Sequence, residues 1–313
     1  MGFGDDSMYK WSLGPKDTKE IVAYAYAKGI NFFDTANQYS NGTSEEYLGR
    51  AIKDLGIRRE DVIIASKVFF NEGGLSKEAI KRLREKGIKV FIATGRALFK
   101  IDNLDDFDGY ITLNGCCCFV NENNKLKEIH RVSMDKDDLF ALTDYIKSNK
   151  FLCRIVTSDN MFINYTNCII NMIYSLSKDK KPEVVDFKDY INKNYEKILQ
   201  LNVFISRNKE KYLMNNILKN SKSSRWSWYF ADINSKYGGK EVGIDKITEY
   251  YKIDLSETIA FGDGENDIGM IKHAHIGVAM GNASKELKKE ADYITDDVNN
   301  EGVYNALKHF NII

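Results

Sequence analysis

The stretch FGDGENDIGM, residues 261–270, follows the short apolar run TIAF at 258–261. An apolar run that ends in a Gly-Asp-Gly turn reads as a buried strand stopping at the rim of a sheet. Open parallel sheets place ligands beyond the carboxyl ends of their strands, and Asp263 stands at such an end. Gly262 and Gly264 permit a tight turn, and Asn266 and Asp267 open the next helix, so two carboxylates and an amide share a small volume. That oxygen-rich set suits a hard cation such as Mg²⁺. The alternative is a solvated Gly/Asp turn that binds nothing, so the rest of the chain has to decide between the two.

Working outward, the same alternation continues. A helix at 243–251 precedes the stretch. Strand IGVA at 276–279, a helix near 284–290, strand DYIT and a last helix at 301–309 follow it. Upstream, strand KVFIA ends in Thr94-Gly95-Arg96, where a hydroxyl and backbone N–H groups can hold a phosphate. Lys240 opens the helix KEVGIDKITEYY and can neutralise phosphoryl charge. Nearer the start, Asp17 and Glu20 form a capping-box pattern before a helix ending at Gly29, and Thr43 and Glu46 repeat it before Gly56. Strands INFF and DVIIAS, 30–33 and 61–66, alternate with these helices, and Ser76 opens another helix ending at Gly87. Residues 117–235 are richer in Asn, Lys, Tyr and Phe and mix both textures. The pattern predicts an α/β domain with a parallel sheet, interrupted by an α+β insert.

Composition narrows the partners. Lys+Arg and Asp+Glu balance at 45 each, which argues against a nucleic-acid partner. Cys116, Cys117 and Cys118 are consecutive, so their side chains alternate across a strand and cannot close one tetrahedral metal site. They read as small buried hydrophobes of a reducing compartment. The most apolar segment, MFINYTNCIINMIYSL, is broken by Asn164, Asn167 and Asn171, short of a membrane span. A cytoplasmic protein without a membrane segment is expected.

The stretches KEAIKRLREKGIKVFIATGR, FDGYITLNG, GGKEVGIDKI, ETIAFGDGENDIGMIKHAHIGVAMGNA and KEADYITDDVNNEGV together resemble the haloacid dehalogenase (HAD) superfamily, in its Cof-type sugar-phosphate phosphatases with a C2-type cap. The resemblance covers about 78–313. It implies a Rossmann-like core over 81–116 and 236–313 and a cap over 117–235 that closes on a small phosphorylated metabolite. It implies Mg²⁺ ligands at Asp263 and Asp267, phosphate contacts at Thr94, Gly95, Lys240 and Asn266, and a cap hinge at Asn114 and Gly115. Lys240 is also the one catalytic residue it leaves, through charge stabilisation. Trp226, Trp228 and Tyr229 are candidates for part of a sugar platform.

Members of that superfamily carry an Asp-x-Asp pair before the KEAIKRLREKGIKV helix, the first Asp as nucleophile and the second as acid and base. Here that place holds Ala65-Ser66-Lys67. Asp106 and Asp108 lie before a strand rather than after one and read as a loop, while Asp135 and Asp137 read as a helix cap. FFDTANQYSNGTSEEYLGRAI and REDVIIASKVFFNEGGLSKEAI instead resemble the start of an aldo-keto reductase, a (β/α)₈ barrel, over about 1–80. Asp34, Tyr39 and Lys67 match three of its catalytic residues. With too few strands to close a barrel they are relics, and NADPH is not expected. The two resemblances meet near SKEAI, 76–80. Strand 62–66, apolar on both faces, is expected to take the vacant place in the sheet beside 89–93 and 258–261. The function expected is a Mg²⁺-dependent phosphohydrolase with a weakened metal site and impaired catalysis. The alternatives are a non-catalytic binder of phosphorylated metabolites, an active phosphatase using Asp106 or Asp108, and an aldo-keto reductase.

Overall fold

The computed structural model describes residues 3, 12–34, 40, 43–65, 80, 83–101, 104, 107–167, 170–171, 174, 181–225 and 230–313. Tyr39, Ser66, Lys67, Asp106, Trp226, Trp228 and Tyr229 lie outside them. The chain divides into two compact units, 1–73 with 168–181 and 74–167 with 182–313.

In the first unit, helix α1 (Pro15–Ala27) precedes strand β1 (Phe32–Asp34), and helix α2 (Thr43–Asp54) precedes strand β2 (Ile63–Ala65). Pro15 supplies the first helical position, where its missing N–H costs nothing, and Gly14 is the N-cap. The box expected from Asp17 and Glu20 therefore falls inside the helix. Val22, Phe33, Leu48, Ala51, Ile52 and Val62 form a small core.

β1 and β2 pair in parallel as a two-stranded sheet of their own. Ser66 of the expected strand 62–66 lies outside the described residues; among these, β2 pairs with β1 and is not a strand of the sheets that contain 91–93 and 259–262. Its Phe32–Ile63 register satisfies it within the first unit.

The second unit begins with strands β3 (Phe91–Ala93), β4 (Gly109–Thr112), β5 (Cys117–Glu122) and β6 (Lys125–Arg131) in that spatial order. β3 and β4 are parallel, and the remaining pairs antiparallel. The core-to-cap boundary expected at 117 thus falls inside a core sheet, because β5 turns back on β4.

The insert proper then supplies helix α3 (Lys136–Asn149), strands β7 (Cys153–Val156), β8 (Met161–Ile163) and β9 (Glu183–Val184), and helix α4 (Phe187–Asn194). Strand β10 (Gln200–Val203), helix α5 (Arg207–Asn216) and strands β11 (Ser221–Ser224) and β12 (Ala231–Ser235) complete it. Its six-stranded sheet, ordered β11-β12-β10-β7-β8-β9, buries Ile155, Leu201 and Ile233 against Leu139, Leu142 and Ile191 of the helices. Asp135 caps α3 by accepting a hydrogen bond from the Asp138 backbone N–H.

The chain returns through helix α6 (Lys240–Tyr251), strand β13 (Ile259–Gly262), helix α7 (Ile268–His273), strand β14 (Ile276–Ala279), helix α8 (Lys285–Glu290), strand β15 (Tyr293–Ile294) and helix α9 (Gly302–His309). β13, β14 and β15 form a parallel three-stranded sheet. β3 and β13 are each the end strand of their sheet. Val90, Ala260, Met270, Ile271 and Leu287 nevertheless share one apolar cluster, so a continuous core spans both halves. No helix of the described residues is long and apolar enough to cross a membrane.

Candidate active site

The carboxyl ends of β3 and β13 meet at one side chain. Lys240, the first residue of α6, is 5% exposed. Its Nζ donates to the Ala93 carbonyl at 2.9 Å and to Asp267 Oδ1. A buried ammonium survives only with such partners. Asp267 Oδ2 in turn accepts the backbone N–H groups of Asp263 and Gly264, each at 3.0 Å, which shapes the turn after β13. A Cβ on Gly262 would stand 2.6 Å from the Asp267 Cβ, so the close approach of this turn requires glycine.

Asp263 differs from Asp267. Its residue reaches solvent at the rim, and Asn282 Nδ2 donates to its Oδ2 at a long 3.4 Å. Crowding by protein raises its carboxyl above the usual range, the Asp267 charge raises it further, and Lys240 offsets part of the rise.

On the β3 side, Thr94 Oγ1 accepts the Arg96 N–H at 3.2 Å, and the Thr94 N–H is spent on the Ile111 carbonyl. Gly95 packs close to the Asn114 amide, where a Cβ would be 3.0 Å from Oδ1. Asn114 has left-handed φ 54°, and Gly115 follows at φ 86°. Asn114 Oδ1 accepts from Asn266 Nδ2 at 3.1 Å, while its Nδ2 donates to Gln200 on β10 and Asn234 on β12. One buried amide therefore ties the loop after β13 to two strands of the insert. Gln200, Asn234 and Asn282 escaped the sequence reading, because lone amides on separate elements leave no spacing to recognise.

The structure thus brings Thr94, Gly95, Lys240, Asp263, Asn266, Asp267 and Asn114 to one place. It does not bring Asp108 there: Asp108 Oδ2 accepts the Val90 N–H at 2.9 Å, beside the amino end of β3. Of the three reductase matches, Asp34 ends β1, and Tyr39 and Lys67 lie outside the described residues.

Comparison with known proteins shows the family. A family model described as haloacid dehalogenase-like hydrolase matches residues 75–307. The chain belongs to that family. The HAD-like region is similar to the Bacillus subtilis (strain 168) protein YkrA, which carries a phosphatase name, with 30% identity over 76% of this chain and 90% of that protein. A solved structure of a HAD subclass IIB sugar phosphatase, BT4131, superposes with a TM-score of 0.67 at 34% identity, covering 75% of this chain and 90% of the other.

The N-terminal part matches a second family model, the aldo/keto reductase family, over residues 1–107. It is 46% identical over 69 residues to the aldo-keto reductase AMT2 of Alternaria alternata, covering 22% of this chain and 19% of that protein. The chain therefore spans about a fifth of that reductase, too little to enclose a barrel.

The donor set sets limits on Mg²⁺. Among the described residues no group of three His, Cys, Asp or Glu gathers as a metal site. Mg²⁺ commonly binds through one or two carboxylates and keeps several waters. Asp263 offers such a carboxylate, whereas both Asp267 oxygens already accept hydrogen bonds. The residues fit a water-rich site with few protein ligands.

Proposed function

We propose that this HAD-family protein binds a small phosphorylated metabolite with Mg²⁺ and hydrolyses it poorly or not at all. The observation that carries this reading is the Lys240 bridge between Ala93 and Asp267, which supports a phosphate-and-cation pocket at the ends of β3 and β13. Thr94, the Gly95 backbone, Lys240 and Asn266 are the phosphate contacts. Asp263 and Asp267 are the cation ligands, Asp263 carrying the larger share. Bound Mg²⁺ would neutralise phosphoryl oxygen charge.

Lys240 supplies fixed positive charge from a dry position, and Asp267 holds it in place. Asn266 and Asn114 orient the pocket relative to the cap hinge at Asn114 and Gly115. Among the described residues no carboxylate is placed to attack phosphorus: the sequence carries Ala65-Ser66-Lys67 before the KEAIKRLREKGIKV helix, and Asp108 is at the opposite end of β3. Removing a nucleophile costs several orders of magnitude in rate.

The test is phosphate release from sugar phosphates with Mg²⁺, alongside thermal stabilisation by the same ligands. Stabilisation without turnover in the wild type, lost in Asp263→Asn, supports the reading. Turnover that vanishes in Asp263→Asn would mean another residue supplies the nucleophile and would overturn the impairment.

A further inference from the structure

Four carboxamide side chains, far apart in sequence, form one chain of hydrogen bonds. Asn114 follows β4, Gln200 opens β10, Asn234 lies in β12 and Asn266 follows β13. Asn114, Gln200 and Asn234 are 6%, 4% and 2% exposed, so each must find its partners within the protein.

A carboxamide has a donor end and an acceptor end of nearly equal shape, and its neighbours fix which way it points. Here the direction starts at two groups that cannot turn. The backbone carbonyl oxygens of Leu113 and Leu199 only accept, and each lies 3.1 Å from Asn234 Nδ2. The Asn234 nitrogen therefore faces them, and its Oδ1 is left to Asn114. Asn114 Nδ2 donates to that oxygen at 3.1 Å and to Gln200 Oε1 at 3.3 Å. Gln200 Oε1 also accepts from Asn234 Nδ2 at 3.2 Å, so it meets two donors. Asn114 Oδ1 is thereby turned to Asn266, whose Nδ2 donates to it at 3.1 Å. Reversing Asn114 or Asn234 would set oxygen against oxygen away from water, a cost nothing compensates. Asn266 is the partly exposed member of the chain. Its oxygen rests against Gly264, where a Cβ would come within 2.7 Å of it, and its Nδ2 carries a second hydrogen.

We propose that Gln200 and Asn234 are positioning residues for ligand binding: through Asn114 they hold the Asn266 carboxamide so that the second Nδ2 hydrogen is presented to phosphate. Two strands of the insert thus set the hydrogen-bond polarity of a loop on the core. The inference rests on Asn266 as a phosphate contact, as proposed above.

The experiment is calorimetry of inorganic phosphate binding with Mg²⁺, on whole-chain variants whose thermal transitions show them folded. Gln200→Met removes the shared acceptor and is expected to weaken binding about tenfold, the order of one hydrogen bond to a charged group. Gln200→Glu keeps an oxygen before both donors and is expected to stay within about threefold of wild type. Asn234→Asp, the same amide-to-acid change, sets oxygen against the Leu113 and Leu199 carbonyls and is expected to lose about tenfold. In an Asn266→Ala background, Gln200→Met is expected to shift affinity by less than about twofold, because positioning acts only through Asn266. A tenfold loss in that background, or none in the otherwise wild-type chain, overturns the inference and leaves the phosphate pocket standing. Equal losses in Gln200→Met and Gln200→Glu also overturn it. Where Gln200→Met does not fold, the wild type carries the test. With ¹⁵N-labelled asparagine, phosphate is expected to shift the side-chain amide signals of Asn114 and Asn234 together with that of Asn266, and a shift confined to Asn266 overturns the inference. Wild type that binds no inorganic phosphate overturns both the inference and the pocket beneath it.

Discussion

Lys240 and Asp267 are 5% and 6% exposed at their side chains and meet no bulk solvent, so each depends on the other. Removing one partner of such a pair strands a buried charge, which typically costs 3–5 kcal/mol. Lys240→Met is therefore expected to lose about 3 kcal/mol in urea denaturation, and Lys240→Met/Asp267→Asn to recover part of it. An unchanged midpoint in the single variant would mean that the pair is open to water.

The cysteines make a second residue-scale case. Cys116, Cys117, Cys118 and Cys153 are buried and free. Burial pushes the Cys116 thiol up to about 11 and Cys118 up to about 12, and raises Cys117 and Cys153 as well. In the unfolded chain they ionise near their ordinary value of 9.0. The thiol contribution to stability is thus complete below about pH 9 and falls as pH rises toward 11 and 12, since only the unfolded chain then releases protons. Under reductant, urea midpoints are expected to fall between pH 8 and pH 10, with a shallower fall in Cys118→Ala. At pH 8 a thiol reagent is expected to leave all four unlabelled in the native protein and to label all five cysteines after denaturation. These residues were legible in sequence as buried hydrophobes, because alternation on a strand already excluded a shared metal.

At the scale of elements, the turn at Asn114 and Gly115 is tightly constrained. Gly115 has φ 86°, and a Cβ there would stand 1.8 Å from the Gly239 carbonyl oxygen, backbone against backbone. Gly87 has φ 78° with nothing within 4 Å of the same position. Gly87→Ala is expected to cost about 1 kcal/mol, from left-handed backbone alone. Gly115→Ala adds a collision that no rotamer relieves and is expected to cost about 3 kcal/mol or more. Similar losses at the two sites, measured by chemical denaturation, would show that the backbone at Gly115 gives way.

The helices and strands of the second unit follow from local pattern and short apolar runs. The placement of β5 and β6 in the core sheet does not, since a Cys-rich strand suits either sheet until its partner is known.

At the scale of the molecule, the described residues of the first unit form a core of few residues and a two-stranded sheet. Structures of that size bury too little surface to be strongly stable. Unfolding is therefore expected to depart from a single transition. Leu48 is 1% exposed, and Leu48→Ala is expected to lower the first transition by about 2–4 kcal/mol and leave the second in place. Calorimetry showing one transition that shifts as a whole would mean that the units unfold together.

The sequence alone determined the HAD-like motifs, their order, and the absence of an Asp-x-Asp pair before the KEAIKRLREKGIKV helix, because catalytic turns need particular residues at short fixed spacings. It also marked Thr94, Lys240, Asp263, Asn266 and Asp267 as one cluster. Tertiary structure decided what depends on partners far apart in the chain. Among the described residues β2, Ile63–Ala65, pairs with β1, although its apolar pattern suits more than one place. Asn114 finds Gln200 and Asn234, 86 and 120 residues away, on β10 and β12 of the insert. Strand pairing and buried amide contacts are choices among many chemically equivalent partners, and only the packed chain makes them.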